Sequence, residues 1–309
     1  MLRTKNKYLR LLANSLNFIA LIFLIDLVVG NFLRHYYFKS NFGTNYYLTY
    51  ALDSTRADVI IIGSGRARSH YVPEIIEDNL DLTCFNTGMD GNYLPNSYAV
   101  YKSIKKRYTP QFVLLDIRHL NELFKGSGGY NQLGSLLPYY KEKEEIRDII
   151  TLRGKYERLK LISRIYPFNS ELLTIIQGSL KKEDITEFKG YLPRFGSLSD
   201  ITLSTKQAED YEIDTNKVRI LESIASDCNS HDITLIIILS PMYTLTEQKA
   251  GVSLLNDLAI KYGAEFWNYF NDTIFLKPEY FKDAEHMNDL GAKKFTKLIA
   301  YRLQQMLNH

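Results

Sequence analysis

The longest pattern in the chain is an apolar one. Leu11 to Leu33 includes the unbroken run Phe18 to Ile25 and carries a single charge, Asp26. As a helix these 23 residues would extend roughly 35 Å, enough to cross a hydrocarbon layer of about 30 Å. Asp26 stands off the centre of the run, which predicts a side chain that snorkels toward the interface. From residue 34 to 57 the pattern disappears. That stretch is polar, rich in Tyr and without a clear period, and reads as a tether.

Beyond residue 58 short apolar runs alternate with helical spacing. Val59–Ile62, Leu82–Phe85, Phe112–Ile117, Thr234–Leu239 and Glu265–Tyr269 are β-branched or aromatic runs bounded by Gly, Asn, Pro or charge, as strands are. Between them lie helical patterns: Pro73 to Leu80; Tyr98, Tyr101, Ile104 and Tyr108; Val218, Leu221, Ala225 and Cys228; Leu254, Leu255 and Leu258. Phe295, Leu298, Ile299 and Leu303 recur at three and four after Asn288, a residue suited to cap a helix. The alternation predicts an α/β body, a parallel sheet covered by helices on both faces. One interruption, about 118–216, has no clear strand but places Ile146, Ile149, Ile150, Leu159 and Ile162 at helical spacing. It is too long for a structureless loop and predicts a helical insertion. Because it leaves the end of a strand, it is expected over the edge where open α/β sheets bind ligands.

Charge changes the picture at one end only. The formal net charge is +3, yet Arg3, Lys5, Lys7 and Arg10 put four positive charges in the first ten residues, so the overall +3 less these four leaves −1 on the rest. Nucleic-acid binding needs a basic face on the folded body and is excluded on this count. The basic start favours a cytoplasmic N-terminus with everything after the apolar run on the other side. A cleaved signal peptide would account for the same run, but no small-x-small pattern follows it; a retained single-pass anchor is preferred. The organisation is then a basic tail 1–10, a span 11–33, a tether 34–57 and an α/β domain 58–309. Cys84 and Cys228 read as separate buried thiols. The six histidines show no paired spacing, with His35, His119, His231 and His309 isolated, so no metal and no cofactor is expected.

Candidate chemistry gathers where the predicted strands end. The first strand runs into Gly63-Ser64-Gly65-Arg66-Ala67-Arg68, the second into Asn86-Thr87-Gly88-Met89-Asp90-Gly91-Asn92, and the third into Asp116-Ile117-Arg118-His119. Near the C-terminus stands Asp283-Ala284-Glu285-His286, just before the capped helix. Asp and His at that spacing can hydrogen-bond, so that the carboxylate fixes the imidazole tautomer and stabilises its protonated form. Each piece alone has a plainer reading: a helix-entry hydrogen bond for Asp-x-x-His, a turn for Asn-x-Gly, a phosphate nest for Gly-Ser-Gly. Their order and position together favour a catalytic edge.

In that order the sequence resembles the SGNH (GDSL-like) hydrolase superfamily, and within it membrane-anchored bacterial envelope esterases and O-acyltransferase-related members. The resemblance covers residue 58 to the C-terminus. It implies a three-layer sandwich with a flavodoxin-like, five-stranded parallel sheet. It also implies catalytic Asp283 and His286, an oxyanion-hole Gly88 aided by Asn92, and a location in the bacterial cytoplasmic membrane with the main domain periplasmic. The implied partners are an envelope glycan or other acylated polymer and a membrane acyltransferase or export component.

One departure bears on activity. The family's nucleophile stands two residues after the first glycine, a place filled by Gly65, which has no side chain to form an acyl-enzyme. Ser64 is adjacent, although one step along a strand-to-helix turn points a side chain elsewhere. Ser69, further along, is expected to point away from the edge. Arg118, Asn121 or Asn92 would have to replace the family's usual Asn oxyanion donor. Two functions follow: an ester hydrolase or O-acyltransferase on an extracytoplasmic polymer using Ser64, or a catalytically silent relative that binds glycan or helps assemble an acylation or export machine. An introduced substitution at position 65 in an active enzyme is a third explanation of the same residue.

Overall fold

A computed structural model describes residues 2–118, 120–126, 128–182, 188–198, 203–206, 212–246 and 249–308. In chain order the elements are α1 Leu2–Lys39, α2 Gly43–Asp53, β1 Val59–Ile62, α3 Gly65–His70, α4 Pro73–Leu80, β2 Cys84–Asn86, α5 Leu94–Lys105 and β3 Phe112–Asp116. Short 3₁₀ turns then accompany α6 Arg147–Thr151, α7 Glu157–Lys160 and α8 Leu172–Leu180. The rest are β4 Ser204–Lys206, α9 Thr215–Ser230, β5 Thr234–Leu239, β6 Thr244–Thr246, α10 Lys249–Tyr262, β7 Glu265–Asn268 and α11 Asp289–Leu307.

Five strands form one parallel sheet in the order β2-β1-β3-β5-β7. This is the flavodoxin-like, doubly wound order, in which the chain reverses direction across the sheet between β1 and β3. The expected strands are all present, the second displaced to Cys84–Asn86. Alternate side chains divide between two cores. Val59, Ile61, Leu114, Ile236 and Ile238 pack with Ala67 of α3, Ile76 of α4 and Phe295 and Ile299 of α11. Ile60, Ile62, Val113, Leu235 and Ile237 pack with Val100 of α5, Leu221 of α9 and Leu255 of α10. Strands covered on both faces need apolar residues at every position, which is why β1 reads Val-Ile-Ile-Ile. Asn288 caps α11 as expected, its Oδ1 accepting from Gly291 N at 3.0 Å. Both cysteines are buried and free.

Three expectations are corrected. Residues 34–57 are not a tether: α1 runs to Lys39, α2 follows, and Leu33, Tyr37, Leu48, Ala51 and Leu52 are buried in the core. The period was hidden because tyrosines serve as core residues here. Tyr37 packs edge-on against Tyr139 and Phe168, with ring centroids 5.9 and 5.5 Å apart. Asp26 does not snorkel; it accepts hydrogen bonds from Ser163 Oγ at 2.5 Å, Arg164 N at 2.7 Å and Ile165 N at 3.2 Å. The insertion is helical, but most of it does not cover the sheet edge. It packs beside α1, α2 and α5 through Leu133, Leu136, Ile150, Phe168 and Ile175. Its returning segment, 188–198, crosses the edge, where Lys189 O accepts from Asn86 N and Arg68 O from Leu192 N. The insertion also holds β4, paired in parallel with β6; both are three-residue strands with too little pattern to be read.

Because α2 completes the core, Leu52→Ala should lower stability by about 2–5 kcal/mol, read as an earlier urea midpoint with an unchanged slope. A chain beginning at residue 58 should show no cooperative transition.

Candidate active site

The loop between Phe281 and Met287, which pair as an antiparallel bridge, turns tightly enough to bring Asp283 onto His286. Asp283 Oδ1 accepts from the backbone N of Glu285 and of His286, each at 2.9 Å, and the carboxylate meets His286 Nδ1 at 2.9 and 3.1 Å. Burial would raise the Asp283 carboxyl, but the Glu285 amide and the His286 ring outweigh it and hold the group below the usual carboxylate range. A carboxylate accepting from Nδ1–H leaves the Nε2 lone pair free to act as a base. The pair read from the sequence is thus formed, with the His286 side chain 21% exposed.

Ser64 is engaged within its own turn. It is the N-cap of α3, and its Oγ accepts from Arg66 N at 3.3 Å. Among the described residues no hydrogen bond joins it to His286. Ser69 Oγ is likewise occupied, donating to Gly65 O at 3.0 Å. The space over Gly65 is filled: a Cβ there would lie 2.1 Å from Asp90 Oδ1. Two guanidinium groups hold Asp90 in that place, Arg194 Nη2 at 3.0 Å and Arg68 Nη1 at 3.6 Å. The Asp90 side chain is half exposed, so it can swing outward.

Gly88 does not offer its amide to the edge. That N–H donates to Asn86 Oδ1 at 2.9 Å, and a Cβ at 88 would press on Arg68 N at 2.5 Å. The glycine is required by close packing against α3. Asn92 is buried and its side chain makes no hydrogen bond among the described residues, which leaves its amide available to an oxyanion. Arg118 is committed to Glu285, at 2.9 Å, and packs over the Tyr93 ring. His119, and the side chain of Asn121, fall outside the described residues, as does His309.

A second set of groups lies beneath the turn, and sequence reading missed it because Arg66 and His70 look like surface residues. Both are fully buried. Arg66 Nη2 donates to Ser240 Oγ at 3.0 Å and to the carbonyls of Ile117 and Ser240 at 3.3 Å, with Asp116 Oδ1 at 3.5 Å. Asp116 Oδ2 accepts from Tyr71 O–H at 2.7 Å. His70 Nε2 accepts from Met287 N at 2.9 Å, so Nδ1 carries the proton and donates to Ser240 Oγ at 3.1 Å. His70 therefore fixes the residue next to His286. Burial, and then the Arg66 charge, push His70 well below its ordinary value of 6.5. The available signal was the Arg-x-x-x-His spacing in a segment bounded by apolar runs.

A surface groove of about 880 Å³, lined by Tyr98, Lys102, Arg219, Glu222 and Tyr262, lies toward the opposite end of the sheet, where α5, α9 and α10 end before their strands begin. Among the described residues no group of three or more His, Cys, Asp or Glu side chains is placed to hold a metal ion.

No family model matches the sequence, and no curated protein matches it. Solved structures do align. A psychrotrophic esterase, EstA, from Pseudoalteromonas sp. is similar with a TM-score of 0.42 at 10% identity, over 81% of this chain and 98% of that one. A lipase/acylhydrolase from Enterococcus faecalis gives a TM-score of 0.38 at 9% identity, over 80% of this chain and 95% of that one.

Removing one partner of a buried ion pair leaves the other charge uncompensated. Asp116→Asn should therefore cost about 3–5 kcal/mol, measured by chemical denaturation at neutral pH. His70 gives a pH dependence of defined sign. The unfolded chain takes up a proton there as pH falls through about 6.5, while the folded chain resists it, so stability is lost on acidification below that value. His70→Gln should flatten the stability profile in this window.

Proposed function

We propose that the chain is a membrane-anchored protein of the SGNH type whose sheet edge binds an acyl ester of an extracytoplasmic polymer without forming an acyl-enzyme. The observation that carries this reading is the Asp90 carboxylate standing where the side chain of residue 65 would begin. Acyl transfer through a serine needs an Oγ beside the base; here position 65 has no side chain, and the space its Cβ would fill holds the Asp90 carboxylate, clamped by Arg68 and Arg194. The His286–Asp283 pair and the free Asn92 amide remain as polar contacts for an ester carbonyl and its neighbouring hydroxyls. Such a protein would serve as a glycan-binding or assembly component beside a membrane acyltransferase or export partner.

A second reading rests on the same dyad. With its Nδ1–H hydrogen-bonded to Asp283, His286 can accept a proton from water at Nε2 as that water attacks the ester carbonyl, then give that proton to the departing alkoxide. That is hydrolysis in one displacement, with no serine.

Rates on p-nitrophenyl acetate separate the readings. Binding without catalysis predicts a native rate equal to buffer. The double variant Gly65→Ser, Asp90→Ala should then gain roughly a hundredfold, Gly65→Ser alone less because Asp90 must first move, and His286→Ala should abolish the gain. A native rate above buffer that disappears in His286→Ala would support the water mechanism. A correctly folded double variant with no gain would count against the SGNH site assignment.

A further inference from the structure

The proposed anchoring of α1 carries a geometric consequence. A helix entering the hydrocarbon at Leu11 needs about 20 residues to cross roughly 30 Å, and so emerges near Gly30. Asp26 is then about 6 Å inside that boundary. Yet Asp26 is the residue that holds the insertion, through Ser163, Arg164 and Ile165. Gly30, one turn on, lies so close to Arg164 that a Cβ would come within 2.3 Å of its side chain, and Arg164 Nη1 donates to Asn31 Oδ1 at 3.3 Å. The segment docked on these residues cannot stand clear of the bilayer if the helix crosses it.

The side chains of that segment suit such a place. Tyr156, Leu159 and Ile162 are 62%, 64% and 59% exposed, while Leu161 beside them is buried in the core. Across residues 152–164 there are five basic residues, Arg153, Lys155, Arg158, Lys160 and Arg164, against one acid, Glu157, for a local charge of +4. Glu157 is itself buried and bound by Arg153, Lys160 and Tyr166. Exposed apolar residues set among basic ones, at the level of the acyl and headgroup boundary, are the features of an interfacial segment drawn to anionic lipid.

We infer that residues 152–165 lie in the membrane interface on the body's side of the bilayer, with Tyr156, Leu159 and Ile162 inserted among acyl chains and the surrounding Lys and Arg side chains against anionic phospholipid headgroups. This rests on the reading of α1 as a membrane span. Asp26 is then the joint that sets the depth of the segment and prevents the body from swinging freely about the anchor.

The test uses the full-length protein in vesicles of equal parts phosphatidylglycerol and phosphatidylcholine containing doxyl-labelled lipid as quencher. Leu159→Cys, Ile162→Cys, Leu21→Cys and Ile260→Cys are each labelled with an environment-sensitive fluorophore. Cys84 and Cys228 do not compete, being buried, with the Cys228 thiol pushed up to about 12 by that burial. Labels at 159 and 162 should shift to the blue and lose more than half of their emission. The label at 21 should be quenched as well, and that at 260, on the exposed surface of α10, should not. With phosphatidylcholine alone, quenching at 159 and 162 should fall in part, as far as tilting of the anchor helix lets the docked segment move outward, while that at 21 is unchanged. Quenching at 21 without quenching at 159 and 162 overturns the inference and leaves the anchor standing; no quenching at 21 overturns the anchor itself. Protection of 159 and 162 that follows protein concentration and not lipid would assign the face to a second copy, and equal quenching in both lipid mixtures would remove the role given to anionic headgroups.

Discussion

A guanidinium with no access to water dictates much of how this sheet edge is built. Arg66 enters the interior from the first turn of a six-residue helix, and an unpaired charge at that depth could not persist. It is compensated by groups from two parts of the chain: Asp116 and the Ile117 carbonyl at the end of β3, and Ser240 just beyond β5. Each is where it is because a parallel sheet in this order brings the C-terminal ends of β1, β3 and β5 side by side. Ser240 receives a second hydrogen bond from His70, which in turn accepts from Met287. One buried charge thereby fixes the turn carrying Ser64 and Gly65 relative to the loop carrying His286. The packing of the site is the solvation of Arg66.

The same dependence explains what could and could not be read from the sequence. The strands were legible because burial on both faces demands apolar residues at every position, and Val59–Ile62 permits no other reading. The Asp283–His286 pair was legible because it is local, closed by a turn of its own. Arg66, His70 and Asp116 were not, since a buried polar residue is identified by partners as many as 217 residues away along the chain and not by its neighbours. Gly88 was read as an oxyanion donor from its place in a motif, whereas its amide is taken by Asn86 two residues earlier. The segment 34–57 was obscured by amphipathic tyrosines, whose rings fill the core while their hydroxyls remain polar. Tyr37 and Tyr139 do both, packing edge-on with their hydroxyls 3.4 Å apart.

Continuity between the N-terminal helices and the edge follows from that packing. Leu33 and Tyr37 join α1 to the core, and α2 seats Leu48 and Leu52 there. The Tyr47 ring of α2 lies 4.8 Å under the Arg68 guanidinium, which reaches Asp90 above Gly65. On the proposed membrane reading, the edge is held at a fixed place relative to the bilayer.

Gly65 and Asp90 then need to be considered together. A glycine at 65 by itself would leave open space over the turn, which water could fill. Here that volume is taken by a carboxylate whose Oδ1 lies closer to position 65 than any β-carbon would tolerate. A serine at 65 and an aspartate at 90 in this rotamer are mutually exclusive, so the glycine is a condition of the Arg68–Asp90–Arg194 clamp and not only a missing part. The clamp is half open to solvent on the Asp90 side and depends on two Arg–carboxylate contacts, a type that weakens with salt. An anionic group on a ligand could displace Asp90 and take over both guanidinium groups. That exchange would give the edge a use for its arrangement of charges that requires no nucleophile.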